Sequence, residues 1–172
     1  MNTLPGLVIV MTDITYIDAS HALQRAYSPV RCSYGTSVFD RRVSSGCNPH
    51  DMMVQDSYNR QFFDRTLRKL GQQLCRLRWA DEAVDVNYIL NEIMPSDMNR
   101  NFALQCLQTW SERNLGVGAY SVGAWSKRIS TPTGQLYRRS VKIKTALQNQ
   151  MNECYAISDD YLTSNGLIKD AS

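Results

Sequence analysis

The chain has 172 residues, of which 43% are hydrophobic and 20% charged, with a formal net charge of +3. That length and balance suit one domain with an ordinary core, needing no disulfide or metal staple. The longest apolar run, Leu7 to Met11, falls short of the roughly 20 residues of a membrane helix. The start of the chain also lacks the basic flank of a secretory signal.

Residues 1–50 read as an N-terminal arm or loop segment. Gly6 to Ile17 is β-capable, with Val8, Ile9, Val10, Ile14, Tyr16 and Ile17. Asp18 to Tyr27 predicts a short helix stopped by Ser28-Pro29. Cys32 to His50 is crowded with Ser, Gly, Tyr and Asn and has no helical period.

Residues 51–172 read as the helical core domain. Phe63, Leu67, Leu70, Leu74 and Leu77 recur at spacings of four and three, the stripe of an amphipathic helix. We expect that helix from about Asp51 or Asp56 to about Trp79, with Arg65, Arg68, Lys69 and Arg76 on its outer face. Gly71 weakens a helix by about 1 kcal/mol relative to Ala, so it marks a close packing contact.

Asp81 is the expected cap of a second helix through Val86, Ile89, Leu90 and Ile93, ending at Pro95. Ser96 or Asp97 then caps a third, carrying Met98, Phe102, Cys106, Leu107 and Trp110. Gly116 to Gly123 breaks the pattern. Beyond it, two readings fit. Trp125–Ile129 and Leu136–Lys144 form a β-hairpin around Thr131-Pro-Thr-Gly134, or a helix begins near Pro132. Thr145 to Ile157 is helical in both, and Asn165-Gly166 is a helix stop. The predicted class is mainly α, a small bundle of about four helices, with an irregular N-terminal arm and the hairpin at about 125–144 as one alternative.

Five cysteines, Cys32, Cys47, Cys75, Cys106 and Cys154, are odd in number and contain no CxxC. They predict reduced thiols, hence a reducing setting, cytoplasmic or within a virion, and not a secreted protein. Three catalytic or ligand motifs come close and fail. Ala119-Tyr-Ser121-Val-Gly123 resembles a nucleophile elbow, yet the only histidines, His21 and His50, lie upstream. Gly116, Gly118 and Gly123 do not complete a phosphate loop. Cys47, His50 and Asp51, with Cys32, do not make a repeated metal-ligand spacing. Asp81-Glu82 and Asp159-Asp160 are expected at helix starts, where the macrodipole favours them. No cofactor or metal is implied, and no catalytic residue emerges.

The charges themselves are patterned. Residues 59–79 hold six basic groups and one acidic, and residues 114–150 six basic and none acidic. Residues 80–113 and 151–172 are acidic in balance. Fourteen of the nineteen cations are Arg, beside nine Tyr and seven Met, a mixture enriched at protein interfaces. The candidate interaction residues are Arg65, Arg68, Lys69 and Arg76, and then Lys127, Arg128, Arg138, Arg139, Lys142 and Lys144. The expected function is a non-enzymatic structural or assembly subunit of a larger complex, such as a virion connector, adaptor or shell component. Its expected partners are other protein subunits, in a homo- or hetero-oligomer, and no membrane. The alternative is nucleic-acid binding through the aromatic, basic segment Trp125–Lys144. A weaker third is a small enzyme whose arginines clamp an anionic substrate.

Overall fold

The computed structural model describes residues 16–28, 49–80 and 82–168. Among them the chain forms seven helices and no strand: α1 (Ala19–Tyr27), α2 (Pro49–Thr66), α3 (Lys69–Trp79), α4 (Val86–Ile93), α5 (Arg100–Ser111), α6 (Val122–Arg128) and α7 (Thr133–Ser164). The mainly α class holds, with more helices than the four expected. Most of the β-capable stretch and of the Ser/Gly/Tyr-rich segment lies outside the described residues.

Helix α1 has the predicted bounds. The Asp18 carboxylate accepts the His21 amide at 2.7 Å, and the Ser28 amide closes the last turn on Gln24 O just before Pro29 disfavours further helix. Ala22, Leu23, Ala26 and Tyr27 are buried, with α1 packed on α2, α3 and α7. The Tyr16 amide also donates to Leu167 O at 2.7 Å, which ties the start of α1 to the end of α7.

The single helix expected up to Trp79 is two. Arg68 is extended (ψ 153°) between α2 and α3, and the Gln72 side-chain Nε2 donates to Asp64 O and Leu67 O at 3.0 and 2.8 Å. A side chain thereby takes over carbonyls that helix continuation would have used. The apolar stripe survives the break because Phe63, Leu67, Leu70, Leu74 and Leu77 are all buried.

Two caps move towards the C-terminus of their predicted places. Asp85, not Asp81, accepts the Tyr88 amide to begin α4, and Asn99, not Ser96 or Asp97, accepts the Asn101 and Phe102 amides to begin α5. A turn closed by the Met98 amide on Pro95 O occupies the residues in between.

The hairpin alternative at 125–144 is overturned, and the helix from Pro132 is correct. α6 runs through Trp125, and α7 starts immediately after Pro132, whose carbonyl accepts the Gln135 and Leu136 amides. The buried residues Leu136, Ile143, Leu147, Met151, Cys154, Ser158 and Leu162 lie on one helical face of α7. This long-range spacing outweighs the short alternation Val141-Lys-Ile-Lys144. At about 1.5 Å per residue, α7 is about 48 Å long and spans the core. It ends in the predicted stop. Gly166 has φ +66°, and the Leu167 and Gly166 amides return to Leu162 O and Thr163 O, a paired closure that needs the left-handed residue.

Because α7 runs unbroken, Asp159 and Asp160 sit near its C-terminal end and not at a helix start as expected. Gly71 marks a close approach of α3 to α7, as predicted: a Cβ there would stand 2.6 Å from Cys154 Sγ.

Candidate interaction surfaces

The first basic block is largely consumed inside the molecule. Arg60 Nε meets Asp64 at 2.8 Å and its Nη2 meets Glu82 at 3.0 Å. Arg76 meets the same two carboxylates at 3.1 and 3.7 Å. The Tyr27 hydroxyl donates to Asp64 at 3.0 Å, and the Arg60 guanidinium lies 4.0 Å from the Tyr27 ring centre. Burial alone would raise the Asp64 pKa, but the Arg60 hydrogen bond and charge, with Tyr27 and Arg76, hold it below its ordinary value. Burial raises the Tyr27 hydroxyl.

Other members of this block spend their charge on neighbours. Lys69 lies 4.3 Å over Tyr88, and Arg78 lies over Trp110 at 5.1 Å. Arg68 reaches Glu153 at 3.8 Å with both side chains well exposed, a geometry worth little. Arg65 is exposed and has no ion-pair partner among the described residues. The basic and acidic blocks therefore meet within one chain. Arg113, which sequence reasoning did not single out, donates to Ala80 O and Glu82 O at 3.1 and 2.9 Å. It sets a cation against the C-terminal carbonyls of α3.

The second block is arranged differently. Lys127 and Arg128 are exposed at the end of α6, and Arg138, Lys142 and Lys144 are exposed on the first half of α7. Among the described residues Arg139 is the one member tied by a carboxylate, that of Asp97. Around these cations Tyr137 is 65% exposed and Val141 44%. Trp125 is not available for stacking on a ligand: it is buried, meets Phe102 edge-on at 5.8 Å, and donates its indole N–H to Gln105. The Arg128 guanidinium lies 5.0 Å from the Tyr120 ring centre. Gln105 also holds the backbone of Tyr120 from both sides, and Gln108 holds Leu115 and Val117. These two amides lay the 112–121 loop against α5, whose last turn closes at Glu112 with φ 58°.

The near-motifs acquire structural roles. Ser121 caps α6 by accepting the Ala124 amide at 3.2 Å, so the resemblance to a nucleophile elbow reflects a helix start. Cys47 and Cys32 and the His50 side chain lie outside the described residues. Among the described residues no group of three or more His, Cys, Asp or Glu is placed to hold a metal ion. No helix there is long and apolar enough to cross a membrane. The described cysteines, Cys75, Cys106 and Cys154, are buried free thiols. Burial pushes the Cys106 thiol up to about 11. The Cys75 thiol is raised by its hydrogen bond to Cys154 and by burial.

Two features escaped sequence reasoning. The Asp56 carboxylate is buried and receives Arg25 Nη2 at 2.8 Å, Arg25 Nε at 3.0 Å and the Tyr16 hydroxyl at 2.7 Å. Residues so far apart in sequence carry no local signal of such a pairing. A shallow open cleft of about 330 Å³ lies between α3, α4 and α7, lined by Arg68, Leu70, Tyr88, Glu92, Asn149 and Gln150 among others. In comparisons with known proteins, the chain matches no family model, no curated protein and no solved structure.

Proposed function

We propose that this chain is a non-enzymatic structural subunit that works by docking, with the exposed face of α6 and the first half of α7 as its contact. A virion connector, adaptor or shell component is the concrete form of this reading. One observation carries it. Lys127, Arg128, Arg138, Lys142 and Lys144 are exposed around Tyr137 and Val141, in a stretch, 114–150, that contains no acidic residue. An apolar centre with a cationic rim suits an acidic protein surface, since aromatic and Arg side chains concentrate at interface cores. The experiment is size determination of the chain together with the partners that accompany it at its source. Arg138→Glu with Lys142→Glu should release it as a 19.6 kDa chain. An assembly whose mass ignores that double substitution contradicts the proposal.

The same five cations favour a second reading, binding to a nucleic-acid backbone. Affinity would then fall with salt, with a log–log slope of about −0.9 for each duplex phosphate neutralised. Affinity indifferent to salt removes this reading.

A further inference from the structure

We infer that the outward face of α7 is a self-docking surface, on which a second copy of this chain lies antiparallel. The inference deepens the docking reading above, on which it rests, by naming the partner.

The argument begins with the order of charge along α7. From Thr133 to Gln150 the helix carries Arg138, Arg139, Lys142 and Lys144 and no carboxylate; from Met151 to Ser164 it carries Glu153, Asp159 and Asp160 and no cation. Apart from Arg139, these side chains are exposed. The order is opposite to what a helix favours, with anions near the N-terminus and cations near the C-terminus. Charge placed in this way does nothing to stabilise α7 itself. It does suit a neighbour running in the opposite direction.

The spacing supports a two-fold relation. Arg138 and Asp160 lie eleven residues either side of Asn149, and at about 100° per residue Arg138, Lys142, Asn149, Glu153 and Asp160 fall on one stripe of α7. Rotation about an axis through Asn149 therefore sets the cationic half of one α7 along the anionic half of the other. Between the halves, Thr145, Gln148, Asn149 and Asn152 are exposed and uncharged, so no like charges meet at the axis. Polar residues at the centre of a helix pair fix register in the same manner. A self-complementary face is what a closed dimer requires. Its apolar content is small, chiefly Tyr137 and Val141, so the contact is reversible and salt-sensitive and not an obligate interface.

A charge-exchange experiment tests this on the full chain. The wild-type protein should form a dimer at low ionic strength and dissociate at about 1 M salt, where the Debye length is about 3 Å. Arg138→Glu/Lys142→Glu sets carboxylates against Asp159 and Asp160 of the second copy, and Asp159→Lys/Asp160→Lys sets amines against its Arg138 and Lys142. Each variant alone should weaken self-association by about tenfold or more. An equimolar mixture should recover dimers, because the opposed halves are then complementary again. Circular dichroism checks that both variants keep their helix content. A wild-type monomer at low salt, a mixture that fails to recover dimers, or a mass that climbs with concentration beyond two copies would each overturn the inference. Failure here is distinguishable from failure of the docking reading. If a different acidic protein occupies the face, the Arg138→Glu/Lys142→Glu variant loses that partner while Asp159→Lys/Asp160→Lys retains it.

Discussion

Asp56 is the one buried carboxylate among the described residues, and its hydrogen bonds fasten α2 to α1 and to Tyr16. Removing one partner of a buried ion pair strands the other. Asp56→Ala should therefore cost about 3 kcal/mol in denaturant unfolding, and Tyr16→Phe about 1.5 kcal/mol, the range for one hydrogen bond to a charged group. Equal effects would show that the carboxylate has no role beyond Tyr16. Asp64 governs a pH response. Its folded pKa lies below the ordinary 3.8, so it contributes stability above that value and loses the contribution as pH falls through the lowered one. Acid titration of Asp64→Asn against wild type should show a shallower loss of stability below about pH 4. Gly71→Ala illustrates a residue whose meaning was legible beforehand. The gain in helix propensity of about 1 kcal/mol is outweighed by the clash with Cys154 Sγ, for overpacking costs about 1–3 kcal/mol. Combining it with Cys154→Ala should recover part of the loss, as a double-mutant cycle would measure. The pairing of Arg25 with Asp56 was not legible, because only the packing of α1 on α2 brings them together.

Local sequence proved a sound guide to helix faces and a weaker one to helix ends. The stripe from Phe63 to Leu77 is buried as its spacing predicts, yet the helix breaks at Arg68, where the Gln72 side chain takes the carbonyls of Asp64 and Leu67, a side-chain capture that apolar periodicity does not record. At 125–144 a four-residue alternation suggested a strand, while the spacing of Leu136, Ile143, Leu147 and Met151 carried the better information over a longer window. Val141→Pro separates the two arrangements. Its side chain is exposed, so the substitution removes little core; inside α7 it should cost about 3 kcal/mol or more. A substitution that leaves the unfolding midpoint unchanged would contradict a continuous helix there.

Across the whole molecule, the alternating charge blocks were visible in the sequence, but their use was not. Folding sets the block at 59–79 against Asp64, Glu82 and Glu153 of the same chain and leaves the block on α6 and α7 facing outward. The assembly role proposed here follows from that asymmetry. Amine acetylation, read residue by residue in the assembled and the dilute isolated protein, tests it most directly. Lys142 and Lys144 should be protected on assembly, with Lys127 following them, while Lys69, held over Tyr88, keeps one rate in both states. Equal modification of Lys142 and Lys144 in the two states would contradict the account.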